Sequence, residues 1–260
     1  GALFRGEYHP EVDGKILWEE EPVFAPLHGR FHSAVEYNKV QYVSAAPGNL
    51  DTQSHGTLYK RIDGSGENWE IVYQWDVAAH KLGGLRGLTV IPDPNGDVIL
   101  GAREENGVIE SIDPANDYQV SVELNFKSQF RQLWGGLGGG ASLAAYSTMT
   151  PWRFPGTDSI VHLIGLWINH PQRTTPPYNG SRFLIRRSAD RYDFGNVYDY
   201  DNPVGDGMEL RGTRSIVVSP FVQDDGCVLY FGGFDAGGAM TFSNTAWIYR
   251  AQYKGDVSQN

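Results

Sequence analysis

Cysteine is all but missing from this chain. Cys227 is the only one in 260 residues, so no intramolecular disulfide holds the fold together. It falls in the apolar run CVLYFGG, where a core thiol is expected rather than a nucleophile. Long apolar runs are missing too. None approaches the roughly 18 residues of a membrane span, so none is read as one. Gly1 begins the sequence without a Met or a basic stretch, and no signal peptide is expected within it. Positive charge is scarce: 21 Lys and Arg face 31 Asp and Glu, for a net charge of −10. That balance argues against nucleic acid and against anionic membrane surfaces as partners. Lysines are few beside arginines, while Trp, Tyr, Gly and Asn are plentiful. This leads us to expect a secreted or cell-surface protein. Asn179-Gly180-Ser181 is a formal glycosylation sequon.

Several motifs are absent as well. There is no Gly-x-Ser-x-Gly elbow. Gly135–Gly140 lacks the Gly-Lys-Ser/Thr ending of a phosphate loop. His28 and His32 are four apart but straddle Gly29 at the start of a strand, where that spacing does not align side chains. No metal site is read, and no motif requires a cofactor. Asp199-Tyr200-Asp201 and Asp224-Asp225 have the oxygen chemistry for a structural calcium, and equally that of solvated turns.

What is present is a repeat. Apolar residues make up 40% of the chain, enough for a full core in one all-β domain. Four segments share a pattern of β-rich run, turn, and second β-rich run ending in small residues. They are 30–46, 85–104, 146–167 and 212–235. Aligning Ser44, Gly101, Gly165 and Gly232 gives spacings of 57, 64 and 67 residues (101−44, 165−101, 232−165). A third strand follows each pair, at 57–62, 107–112, 181–186 and 245–250. A fourth follows three of them, at 69–75, 118–124 and 192–198. Asp63-Gly64, Pro94-Asn95-Gly96 and Asp225-Gly226 supply the positive φ of hairpin turns.

Four short antiparallel strands per unit resemble the blades of the β-propeller superfamily, from about Lys15 to Tyr253. The resemblance implies an all-β ring of four four-stranded blades, with five blades as the alternative. Asp63–Trp69, DGSGENW, resembles the Asp-box turn of sialidase-like propellers. Its Trp stands one residue late and it occurs in one unit only, so it supports a hairpin and not a sialidase. The last unit lacks a fourth strand, and Lys15–Val23 lacks a partner. We expect that segment to complete the fourth blade and close the ring. The expected organisation is one domain over 1–260. Residues 1–14 form its N-terminal tail, and 126–140 a helical, Gly-rich insertion with Phe126, Phe130, Leu133 and Trp134 on one helical face.

In such a ring the inner strands begin at the mouth of an axial channel, and the second strands end there. The alignment gathers His32, Arg86, Arg103, Glu104, Trp167, Arg214 and Asp235 at that rim. One reading makes them a ligand site. Arg86, Arg103 and Arg214 would bind an anionic group through their guanidinium forks. Trp167 would stack on a flat or sugar-like ring, and His32, Glu104 and Asp235 would carry protons. The other reading pairs these residues with one another as salt bridges between blades. Two functions follow: a lyase or hydrolase acting on a small anionic or carbohydrate-like molecule, or a non-catalytic propeller that binds glycans or a protein. A lectin-like array repeats its binding residues in every blade. Here the rim positions differ, which favours one unique site.

Overall fold

In the computed structural model the outermost strand of each large sheet is half or fully exposed, while the strands inside it are more buried. The second unit shows this most clearly: Leu85–Ile91 is buried at six of its seven positions, while Gln119–Asn125 is exposed or half-exposed except at Leu124. In the second sheet one edge is therefore packed against its neighbours and the other faces solvent. The structure describes residues 3–20, 28–47, 56–62, 69–75, 85–93, 96–103, 108–125, 142–144, 149–165, 167–169, 182–196, 210–235 and 246–253.

Nineteen strands are described. β1 (Phe4–His9) and β2 (Lys15–Glu20) form a hairpin. The first large sheet is β3 (His28–Tyr37), β4 (Val40–Pro47), β5 (Thr57–Arg61) and β6 (Trp69–Gln74), in that order. The second is β7 (Leu85–Ile91), β8 (Val98–Arg103), β9 (Val108–Asp113) and β10 (Gln119–Asn125). β11 (Ser142–Ala144) precedes the third sheet, which contains β12 (Met149–Arg153) and β13 (Ile160–Gly165). β14 (Trp167–Asn169) leaves that sheet, which β15 (Arg182–Ser188) and β16 (Arg191–Asn196) complete. The fourth sheet holds β17 (Leu210–Val218), β18 (Val228–Asp235) and β19 (Ala246–Gln252), with β14 and β11 added beside β17. All pairings are antiparallel, and each large sheet is a propeller-type blade with the inner hairpin expected from the repeat.

The turns follow from local chemistry. Asn38-Lys39 joins β3 to β4 with φ of 49° and 65°, and Asp225-Gly226 sits before β18 with φ of 45° and 66°. Positive φ at both central positions matches the right-handed twist of the flanking strands.

Two expectations are corrected. Lys15–Glu20 does not complete the fourth blade; it pairs with Phe4–His9, which were expected to be tail. The short connector carries Asp13 and Gly14 at φ of 54° and 63°. Closing a loop this short loses far less chain entropy than joining the two ends of a 260-residue chain. The fourth sheet instead gains strands on its inner side, because β14 crosses from the third unit and pairs Trp167 with Gly212. Cys227 lies half-buried just before β18 rather than within the strand. The helix expected at 126–134 lies outside the described residues.

Consecutive sheets share apolar layers. Tyr42, Leu58, Trp75, Leu85, Ile99 and Ile112 fill the space between the first and second. Ile91, Leu100, Leu124, Met149, Ile164 and Leu184 join the second to the third. Trp152, Leu163, Phe183, Ile216, Leu229 and Phe231 join the third to the fourth. A sheet edge packed this way must still satisfy its backbone, since a buried unpaired N–H or C=O is costly. Hydroxyls and indoles of the neighbouring sheet supply the partners. Ser44 Oγ donates to Leu85 O at 2.6 Å and accepts from Leu85 N at 2.9 Å. Ser33 Oγ accepts from Leu88 N at 2.9 Å. Thr150 Oγ1 donates to Ile216 O at 2.6 Å, and Trp152 Nε1 to Gly226 O at 2.7 Å.

Ser44 is fully buried, so Ser44→Ala leaves both polar groups of Leu85 without their partner. At roughly 1–3 kcal/mol for each of the two unsatisfied groups, urea unfolding is expected to show a loss of about 2–6 kcal/mol. A change below about 1 kcal/mol would mean that the hydroxyl does not hold the two sheets together.

Candidate functional site

The inner strands are not regular where the candidate residues stand. In β3, Phe31 pairs with Ala45 and Ser33 with Ser44, which leaves His32 as an extra residue. In β17, Thr213 pairs with Gly233 and Ser215 with Gly232, which leaves Arg214 as the extra residue. In β7, Arg86 pairs with Ala102 and Thr89 with Leu100, so Gly87 and Leu88 stand opposite Gly101 alone. These are β-bulges, each interrupting the ladder beside the aligned small residue of the partner strand. β3 and β17 carry a second shift three residues earlier, at Gly29 and Arg211.

The small residues have a steric reason in the second sheet. A Cβ on Gly101 would lie 2.7 Å from Leu85 Cδ1, so the buried Leu85 side chain occupies the space a side chain here would need. Gly87 takes φ of 64°, a value most side chains disfavour. By register Gly87, and not Arg86, is the equivalent of His32 and Arg214. Arg86 stands one residue earlier.

The predicted site residues fall into two groups. His32 is half-buried and Arg86 is only 8% exposed, on inner strands that pack side by side between the first and second sheets. Arg103 ends β8 opposite Leu85, one pair along from Arg86. Trp167, Arg214 and Asp235 belong to the fourth sheet. Trp167 opens β14 against Gly212, Gly212 faces Phe234, and Asp235 faces Leu210. Trp167 was expected to end the second strand of the third unit. It instead begins the strand that crosses to the fourth, because β13 stops at Gly165. Glu104 and the side chains of Arg103, Trp167, Arg214 and Asp235 lie outside the described residues. Of the calcium-type stretches, Asp224 already accepts from Ser219 Oγ and pairs with Arg250. Asp199–Asp201 lie outside the described residues.

A buried charge cluster that the sequence reading missed lies between the second and third sheets. Arg186 Nε and Nη2 donate to Glu123 Oε2 and Oε1 at 2.7 and 3.0 Å, and Tyr192 Oη donates to Glu123 Oε2 at 2.8 Å. Both charged side chains are less than a tenth exposed. Burial opposes the Arg186 charge, but the Glu123 hydrogen bond and negative charge outweigh it and raise the guanidinium pKa. Burial, then the Glu123 charge, push the Tyr192 hydroxyl up as well. His162, opposite Arg186 in the sheet, is pushed down to about 4 by burial and then by the Arg186 charge. The geometry is that of a structural lock: every donor on the carboxylate comes from the neighbouring sheet, and removing one partner of such a pair leaves a buried charge. At the first junction the corresponding polar contact is Trp75 Nε1 donating to Glu110 Oε2 at 3.0 Å.

No family model matches the sequence, and no curated protein matches it. Among solved structures it is similar to a thermostable family-43 glycoside hydrolase, with a TM-score of 0.42 and 11% identity over 84% of this chain and 69% of that one. A superposition this loose leaves function to be argued from the residues.

The His162 environment sets a pH dependence. The folded state holds His162 neutral down to about pH 4, whereas the unfolded chain takes up a proton near its ordinary value of 6.5. The contribution to stability is therefore full above about pH 6.5 and is lost as pH falls toward 4. The loss amounts to about 3 kcal/mol. Chemical denaturation at stepped pH is expected to show this decline in the wild type, and a shallower one in His162→Phe. Equal slopes for the two proteins would contradict it.

Proposed function

We propose that this chain is an enzyme, a lyase or hydrolase, that holds a small anionic or sugar-like molecule where the inner strands begin. The observation that carries this reading is the bulge shared by three inner strands beside residues of different chemistry: His32, Arg86 with Gly87, and Arg214. Bulges re-aim side chains and are frequent beside active sites. The same backbone device repeated with different side chains suits one asymmetric ligand better than several identical ones.

In this reading Arg86, Arg103 and Arg214 hold the anionic group, since a guanidinium presents a planar fork of donors. Burial of Arg86 strengthens its hold, because a charge is screened less away from water. Trp167 supplies a flat apolar wall. His32, Glu104 and Asp235 supply the acid and base. A hydrolase adds water across the bond it breaks. A lyase passes a proton from carbon to the base while the bond to the leaving group on the neighbouring carbon breaks; the C–H electron pair becomes the new double bond and the acid protonates the leaving group.

The test is a panel of acidic sugars and small carboxylic acids followed by mass spectrometry and absorbance. Arg86→Ala and Arg214→Ala are each expected to lower kcat/KM by about a hundredfold, or roughly 3 kcal/mol. Two products whose masses sum to the substrate plus one water mark a hydrolase, and two products that sum to the substrate alone, one with a new ultraviolet absorbance, mark a lyase. Binding without turnover would assign the chain to the glycan- or protein-binding class instead. Full activity in both variants would remove the site from the inner strands.

A further inference from the structure

A pocket lies on the first sheet, toward the end of β3 away from His32. Its floor is one cross-strand row. Glu36 of β3 pairs with Gln41 of β4, and Arg61 of β5 pairs with Trp69 of β6. The middle link follows from the register, since Tyr42 pairs with Lys60 and so Gln41 meets Arg61. Arg61 Nη1 donates to Gln41 Oε1 at 3.0 Å. Opposed residues in a sheet share a face, so all four side chains line the same side. Strands lie about 4.8 Å apart, and the row therefore spans roughly 14 Å. Leu3 and Phe4 at the start of the N-terminal hairpin stand over it and enclose about 340 Å³. That volume is at the lower end of the roughly 300–1,000 Å³ typical of small-molecule pockets.

We infer that this pocket binds a neutral carbohydrate of one or two rings. The row is charge-balanced, with one carboxylate and one guanidinium. An anion drawn to Arg61 meets Glu36, and a cation drawn to Glu36 meets Arg61. A hydroxyl-rich ligand has neither conflict. Its hydroxyls donate to the Glu36 carboxylate and accept from the Gln41 amide and the Arg61 guanidinium, because each hydroxyl is both donor and acceptor. The indole of Trp69 and the ring of Phe4 offer aromatic surface to the C–H face of a sugar ring. An aromatic wall with a few convergent polar groups is the usual make-up of a ligand pocket. The Gln41–Arg61 hydrogen bond orients both groups before a ligand arrives, which lowers the ordering cost of binding.

This site is independent of the one proposed on the inner strands, and the two separate in one experiment. Titration calorimetry of the full chain uses cellobiose, maltose, xylobiose and lactose, with glucuronate as the anionic comparison. At least one neutral disaccharide is expected to bind. Trp69→Ala and Glu36→Ala are each expected to weaken it about tenfold, while Arg86→Ala leaves it unchanged. If circular dichroism shows Trp69→Ala misfolded, the surface variants Glu36→Ala and Gln41→Ala carry the test. The inference is overturned if none of the four disaccharides binds, if binding survives these changes, or if Arg86→Ala abolishes it. Loss of glucuronate binding in Arg86→Ala bears on the inner-strand site alone.

Discussion

The fold depends on how the open edge of each inner strand is satisfied. A blade has two edges, and packing blades together buries one of them. Backbone groups along that edge lose water and need other partners. Ser44 meets both polar groups of Leu85 with a single hydroxyl, Ser33 meets Leu88, and Thr150 meets Ile216. Because these partners come from the adjacent blade, satisfying the edge also sets the distance and register between sheets. The apolar layers supply most of the driving force by area, but they are not directional. The hydroxyls are.

The same edge carries the candidate site. A bulge in an inner strand turns backbone groups out of their own ladder, which frees Leu88 N to reach Ser33 across the junction. It also leaves an extra residue outside the regular pairing, His32 in one strand and Arg214 in another. The device that docks one blade on the next therefore stands beside residues proposed to hold ligand. Each of the three described junctions also carries a different polar contact: Trp75 with Glu110, Arg186 with Glu123, and Trp152 with the Gly226 carbonyl. Such differences give each blade one preferred neighbour, since a mismatched junction would leave a buried polar group unpaired.

Much of this was legible in the sequence. The four inner hairpins and their third and fourth strands stand close to where apolar alternation and turn residues put them, because both signals are local. β1 was missed for a physical reason: its hairpin is largely exposed, as Phe4 and Tyr8 show, and buries no face to write a period into the sequence. β14 was missed because three residues carry no periodicity, and its role comes from a neighbour in another unit. Glu123 and Arg186 stand on strands read from the repeat, and only the packing of two sheets makes them a buried pair. At the site, the residue types were legible but the register was not. A bulge shifts alignment by one residue, which is why Arg86 rather than Gly87 was set beside His32 and Arg214.

The most direct measurement of the central claim is amide hydrogen exchange at Leu85 and Leu88. Neither amide takes its partner from its own sheet; the acceptors are Ser44 and Ser33 of the neighbouring blade. If cross-blade hydroxyls hold the inner edge, both amides exchange only through global unfolding, as slowly as the core amides of Leu100 and Ile112. Exchange at the rate of an open sheet edge, while the core stays protected, would contradict the account.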